Sequence, residues 1–357
     1  MRFPSKMRRL VGSVVLALIA SAVLSACSDN GTNFLAPQSD TANRESNLFW
    51  FILIVATIIF VGVTSVLVYS IIRFRARPDS PEPRQISGNT KLEIAWTITP
   101  SVILFIILAV TISTMFAVAS PPGNQTDLTV NVIGHQWWWE FQYPNGNVVT
   151  ADEMVIPVNA RVHINLISDN VIHSFWVPEL AGKTDVIPGH NNTMWIQAKK
   201  IGIYRGECTE FCGAQHAHMD FQVDVRSLAG YDAWLTQQQN PGAIPAAGTQ
   251  EAAGYKVFTS AGCLSCHAIN CAASVAQCST NIGTIHIGPN LTHFGSRQLI
   301  AAGVLSNTST NLNQWILHAQ DVKYGADMPS FDGTSPGYSA LSQQQVDDLV
   351  AYLESLQ

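Results

Sequence analysis

The segment Cys208-Thr-Glu-Phe-Cys212-Gly-Ala-Gln-His216-Ala-His-Met219 holds two thiols, an imidazole and a thioether within one short stretch. A donor set this soft selects copper over harder cations. Two other chemistries could use the same thiols. In an oxidising compartment Cys208 and Cys212 could close a local disulfide, and with His216 and a second His they could hold structural zinc. Neither employs Met219, because zinc rarely takes a thioether, whereas a weak Met ligand suits copper. A further ligand must come from elsewhere, and His173 in Val171-Ile-His-Ser-Phe-Trp-Val-Pro178 is the candidate, following a predicted strand and preceding a turn. A lone His in that setting is more often a packing residue; its pairing with the loop is what makes it a ligand candidate.

A second cluster lies downstream. Cys263-Leu-Ser-Cys266-His267 is the covalent c-type haem motif, with two thiols for two thioether bonds and an adjacent imidazole for one axial position. Read as a redox Cys pair instead, it leaves His267 without a role. Met328, in Asp327-Met328-Pro329, is the sole Met after Met219 and by elimination the opposite axial ligand, with His286, His293 and His318 as rivals. Met ligation raises a haem's potential, which suits a donor to copper. Of the seven cysteines, Cys27 lies apart near the N-terminus, and Cys271 and Cys278, between His267 and Gly288, are read as a disulfide closing a small loop, since two free thiols fit an exported domain less well.

These clusters need elements to hold them. Charged residues make up 12% of the chain and mean hydropathy is +0.16, values that point to membrane spans. The net charge of −6 is unevenly spread, with an excess of basic groups over residues 1–120 and of acidic groups downstream. With no basic face, nucleic acid is excluded as a partner. Residues 1–26 read as a lipoprotein signal peptide, with Arg2, Lys6, Arg8 and Arg9 before an apolar run and then small residues. Leu24-Ser25-Ala26-Cys27 would make Cys27 a lipidated N-terminus; ordinary cleavage leaving a free Cys27 is the alternative. Residues 27–47 are polar and aperiodic and are expected to be a flexible exported tether.

Residues 48–120 are expected to form a transmembrane hairpin. Leu48–Ile72 and Ile94–Val118 carry no charge, and each exceeds the ~20 residues that span hydrocarbon. Arg73, Arg75, Arg77, Arg84 and Lys91 place the connecting loop in the cytoplasm, so both ends of the hairpin face outward. Glu93 opens the second span, where a carboxylate is favoured by the helix dipole; a proton-pathway role is the sharper alternative. Residues 121–234 change to short alternating Val-, Ile- and Trp-rich segments, the pattern of a β-sandwich or Greek-key barrel. In Trp137-Trp138-Trp139 the side chains alternate, so at least one must be exposed or lie in an interface. Residues 235–249 read as a linker. Residues 250–357 form a second, helical domain closing on a helix with Ser342 as N-cap, Gln345 three residues on, a Leu341–Val346 staple, and Val346, Leu349, Val350, Leu353 and Leu356 on one face.

From about Asn47 to Arg226 the chain closely resembles subunit II of the haem-copper cytochrome c oxidases, through Cys-x-Glu-x-Cys-x3-His-x2-Met preceded by the two-span hairpin. The resemblance implies a cupredoxin-like Greek-key β-barrel with a dinuclear copper A centre. Cys208 and Cys212 would bridge both coppers, His173 and His216 would be terminal ligands, and Met219 and the Glu210 carbonyl would each bind one copper. Gly134-His135-Gln136-Trp137-Trp138-Trp139 matches the family's aromatic stretch, with Trp137 in the place of the tryptophan through which electrons enter. Glu93 aligns with the carboxylate at the mouth of the K proton pathway. Lys183 to His190 is similar to a stretch near the catalytic subunit, where His190 replaces the usual Arg; His135, His163 and His218 receive no role. The downstream domain resembles an all-α class I cytochrome c, in which Gly288-Pro289-Asn290-Leu291 orients the proximal His.

Together these imply a multidomain membrane protein of the caa type in the bacterial cytoplasmic membrane, multi-pass, with copper and haem domains on the periplasmic face. The expected function is to take electrons from an external donor, cytochrome c or complex III, by way of haem c and copper A to the haem a of the catalytic subunit. There oxygen is reduced to water with proton pumping. In that expected route Trp137 stands after the copper pair, as the electron exit. Partners would be catalytic subunit I, subunit III and membrane lipid, with Mg at the subunit I interface. The alternatives are a nitric or nitrous oxide reductase with a borrowed copper domain, and a lipid-anchored electron shuttle or copper-delivery protein.

Overall fold

The computed structural model describes residues 32–75, 85–121, 123, 125–145, 148–240, 245–269 and 288–357. The expected signal peptide, Cys27, His286 and the Cys271–Cys278 pairing lie outside the described residues.

Two long helices come first, α1 (Asp40–Arg73) and α2 (Thr90–Ala119). Each starts on a side-chain cap, since Ser39 accepts a hydrogen bond from the Ala42 amide and Asn89 from the amides of Lys91 and Leu92. At 34 and 30 residues both exceed the ~20 needed to cross hydrocarbon. No residue of α2 is buried within the chain, so its apolar surface is free to face lipid.

The expected tether is corrected from Thr32 onward, because that segment is docked. The Gln38 amide donates to Glu179 O (2.8 Å) and accepts, through its carbonyl, the Lys199 amide (2.9 Å). Ser39 Oγ donates to Leu180 O at 2.6 Å while capping α1, and Lys199 Nζ meets Asp40 Oδ2 at 2.9 Å. Polar, aperiodic residues were satisfied by another part of the chain, which local pattern does not reveal.

Ten strands follow in two five-stranded sheets. In spatial order the first is β3 (Val148–Ala151), β2 (Trp138–Tyr143), β1 (Leu128–His135), β5 (Val162–Ser168) and β8 (Asn192–Ile196). The second is β4 (Glu153–Pro157), β10 (Asp220–Arg226), β9 (Gly202–Cys208), β6 (His173–Trp176) and β7 (Thr184–Val186). Each contains one parallel pair, β1 with β5 and β4 with β10. Alternation sets the inward faces: Val162, Ile164 and Leu166 of β5 are wholly buried, while His163 and Asn165 between them are not. Between the sheets Trp139, Phe141, Phe175 and Phe221 form an aromatic core, with Phe175 and Phe221 stacked at 4.6 Å. Helix α3 (Leu228–Gln238), capped by Ser227, adds Tyr231 and Trp234 to that core. The expected linker start at residue 235 is therefore too early, because the helix carries the copper-loop domain through Gln238.

The C-terminal domain is built on α4 (Gln250–Ser260), α5 (Ser309–Leu317), α6 (Ala319–Val322) and α7 (Gln343–Ser355), with a small hairpin of β11 (Leu299–Ile300) and β12 (Leu305–Ser306). The expected capping box of α7 is present, Ser342 and Gln345 each bonding the other's backbone. Helices α4 and α7 cross at Gly254, where a Cβ would stand 1.9 Å from Asp348 O. Only glycine permits that approach.

Candidate metal and haem sites

The copper loop joins the adjacent antiparallel strands β9 and β10, and its two ends are tied by the Cys208 amide donating to Met219 O at 3.1 Å. Strand β6 pairs with β9 through Phe175 opposite Cys208, which brings His173 beside the loop. His173 opens a strand instead of following one, and it is fully buried. Two neighbours fix its ring. Gly134 leaves room, since a Cβ there would lie 2.8 Å from His173 Cδ2, and Asn170 Oδ1 sits 3.2 Å from Nε2. The other nitrogen, Nδ1, is thereby presented to Cys208 Sγ at 3.9 Å.

All the expected donors converge. Cys208 Sγ and Cys212 Sγ are 3.7 Å apart, His216 Nδ1 is 3.7 Å from Cys212 Sγ, Met219 Sδ is 3.8 Å from the same sulphur, and Glu210 O is 3.3 Å from Cys208 Sγ. The thiols are free and well beyond the about 2.05 Å of a disulfide. Sulphurs that share a metal at about 2.3 Å stand close to this separation. A thioether within the cluster separates it from a structural zinc site, so the donor set fits copper. The two thiols are electrostatically linked. The contact with the Cys212 thiol, outweighing burial and helped by His173, holds Cys208 well below the usual thiol range. Cys212 is raised for the converse reason, first by its bond to Cys208 and then by burial. Binding of a metal by both sulphurs would require both thiols to lose their protons.

In the aromatic stretch Trp137 lies in the turn between β1 and β2, and only Trp138 and Trp139 alternate along a strand. Trp139 is wholly buried in the sheet core. Trp138 is buried under the C-terminal domain with Ala302. Trp137 is half-buried, and its Nε1 donates to Cys212 O at 3.0 Å, beside Gln136 Nε2, which donates to the same carbonyl at 2.7 Å.

A cavity opens on the other side of Trp137 and Trp138, lined by Cys263, Cys266, His267 and Met328. His267 Nδ1 lies 2.8 Å from Pro289 O, the arrangement of an N–H donating to that carbonyl, which leaves Nε2 as the available ligand atom. Burial lowers the His267 pKa, which favours the neutral imidazole a metal needs. Gly288 lies against the ring, where a Cβ would come within 2.6 Å of Cε1. Cys263 and Cys266 are free thiols, and burial pushes Cys263 up to about 11. Of the rivals to Met328, His293 is turned to Gln238 O at 3.1 Å and His318 to Asp332 at 3.0 Å; neither lines the cavity. Gln320 fixes the Met328 loop, its Nε2 donating to Ala326 O and Met328 O at 2.7 Å each. The residues present therefore fit a haem c. Sequence reasoning missed Asn170, Gly134 and Gln320, because each acts through a neighbour distant in pattern.

Three expected positions stand differently. Trp137 both lines the cavity and bonds the Cys212 carbonyl, so it joins the two clusters. Glu93 is in the first turn of α2, outside both clusters. His190 is exposed at a turn, its amide donating to Ile187 O at 3.1 Å.

Two apolar spans, a cupredoxin-like domain with a soft copper-type donor set, and a helical domain with a haem motif together define a membrane-anchored electron-transfer protein. Residues 28–113 match the family described as cytochrome C oxidase subunit II, transmembrane domain, residues 146–226 its periplasmic domain, and residues 251–357 cytochrome c. The chain is 37% identical over 313 residues to cytochrome c oxidase subunit 2 of Alkalihalophilus pseudofirmus, covering 85% of each chain. It is 30% identical to that of Bacillus subtilis, covering 96% of this chain and 97% of the relative. Among solved structures it is similar to the periplasmic domain of subunit II of Bradyrhizobium japonicum cytochrome oxidase, at 30% identity and TM-score 0.32, covering 32% of this chain and 95% of that one. The chain belongs to the cytochrome c oxidase subunit II family, in a form that carries its own cytochrome c domain. It is thus a subunit of an oxidoreductase complex.

Proposed function

We propose that this chain is the electron-accepting subunit of a haem-copper terminal oxidase. It receives electrons from an external donor, cytochrome c or complex III, and passes them by way of haem c and a dinuclear copper A centre to the haem a of catalytic subunit I, where oxygen is reduced to water with proton pumping. The observation that carries this reading is the placement of Trp137 between the haem cavity and the Cys212 carbonyl. It supports Trp137 as the group through which electrons reach the copper loop, in place of the exit.

Cys208, Cys212, His173, His216, Met219 and the Glu210 carbonyl would hold copper, and Cys263, Cys266, His267 and Met328 would hold haem. The bound groups supply one-electron redox change at nearly constant geometry. The chain's own part is orientation: Asn170 and the buried Gly134 set His173, the Pro289 carbonyl sets His267, and Gln320 sets Met328. Phe211, 77% exposed within the copper loop beside Glu210, supports a partner surface at that end, which we assign to subunit I with Mg near the interface. Glu93 is assigned to the mouth of a proton pathway there, Cys27 to lipidation, and Cys271–Cys278 to a disulfide. The membrane is the bacterial cytoplasmic membrane, with lipid and subunit III as further partners.

Copurification from membranes with optical spectra and metal analysis tests this reading. Two coppers and one haem c in this chain, beside a-type haem in a large polytopic partner, are expected. A complex that reduces nitrous or nitric oxide but not oxygen would overturn it, as would isolation of the chain as a free carrier.

A further inference from the structure

The two soluble domains meet along a surface that is mostly backbone on one side and side chain on the other. Glu153 Oε1 accepts the Gln298 amide at 2.6 Å, Gln215 Nε2 donates to Tyr324 O at 2.6 Å, and the Asp220 amide donates to Ala302 O at 3.1 Å. Such contacts tolerate small shifts. Lys323 differs from them in kind, since it is only 3% exposed. Its Nζ donates to Trp137 O at 2.6 Å and to Ala301 O at 3.2 Å. The carboxylates acting on that ammonium, Asp152 and Asp220, both belong to the copper domain. Burial draws its pKa down to about 8 against their pull, so it remains cationic at neutral pH. A buried ammonium left without partners would be strongly destabilising; here every partner but Ala301 lies across the interface.

Position adds to this. Lys323 follows α6 on the same short segment that Gln320 ties to Met328, and it grips the peptide of the residue whose indole bonds Cys212 O. We propose that Lys323 is a positioning residue that clamps the Met328-bearing side of the cytochrome domain onto the Trp137 peptide. The haem cavity is thereby closed by the copper domain, and Trp137 is closed to external carriers. On the proposed function above, an external donor can then deliver electrons only through the attached haem, and the copper domain accepts them from one fixed geometry.

The test compares wild type, Lys323→Met and Lys323→Arg in the full chain within its complex. Hydrogen exchange of the peptides around residues 136–139 and 299–303 reads domain contact without reference to electron transfer. In Lys323→Met it should rise about tenfold or more, the factor carried by a charge-assisted hydrogen bond, and Lys323→Arg should restore part of the protection. In the same variant the haem-to-copper rate after photoreduction should fall, and direct reduction of copper by a small soluble carrier should rise, with the Met-ligated haem spectrum unchanged. Unchanged exchange in Lys323→Met would overturn the clamp. So would increased exchange accompanied by loss of the haem spectrum, which would make Lys323 a support of the haem loop alone. If wild type lacked copper or haem, the proposed function would fail, while the exchange result would still decide the clamp.

Discussion

Each cofactor site depends on a donor atom that a second residue aims. Asn170 meets one nitrogen of His173 and leaves the other to the thiolates, so Asn170→Ala should weaken copper binding by about 10- to 100-fold in a metal titration of the copper domain in the intact chain. For the haem, Met328→Ala should abolish the near-infrared sulphur-to-iron band while the thioether-linked haem is retained; persistence of the band would reassign the ligand. A third cluster of polar groups lies beside Trp138. His135 stacks on Trp138 at 4.2 Å between Asp169 (3.1 Å) and Glu140 (3.5 Å). Burial opposes its protonation, yet the bonds to Asp169 and Glu140 outweigh burial and raise its pKa above 6.5. The stabilisation is therefore full below 6.5 and is lost as the pH rises through the folded-state value. Thermal midpoints should fall over that window in wild type and fall less in Asp169→Asn.

Elements succeed or fail by how they meet. The α4–α7 crossing is possible because Gly254 brings its backbone against Asp348 O. Gly254→Ala should separate the helices and cost about 1–3 kcal/mol, read as a lowered unfolding midpoint of the cytochrome domain; an unchanged midpoint would show that the crossing can relax. The α7 boundary was fully legible, since Ser342, Gln345, the Leu341–Val346 pair and the apolar face are local in sequence. The start of α1 was not legible. Its first turn read as tether because what anchors it, Leu180 bonded to the Ser39 cap and Lys199 paired with Asp40, is distant in sequence, the Ser39–Leu180 separation being 141 residues.

At the scale of the whole molecule, charge and docking bear on which donor the proposed electron path can use. Residues 249–357 hold three basic groups against seven acidic ones, so the external donor should present a basic face. Its rate of reducing the haem should fall as salt is raised past about 0.1 M, where the Debye length is about 10 Å; rates that stay level would argue for an apolar docking surface. Because the cytochrome is attached and docked, its encounter with copper is intramolecular and independent of dilution.

Chemistry concentrated in short segments was determined by the sequence alone. Ligand spacing in Cys208–Met219 and Cys263–His267, uncharged runs long enough to cross a bilayer, and the change of period from helix to strand are all local properties. The tertiary structure decided what depends on long-range pairing. Strand β6 beside β9 delivers His173 to the thiolates, the docked cytochrome domain lets Trp137 line the haem cavity while its indole bonds the copper loop, and Lys323 finds its counter-charges only in the other domain. No window of neighbouring residues contains those pairings, because they arise from sheet order and from a contact between two separately folded cores.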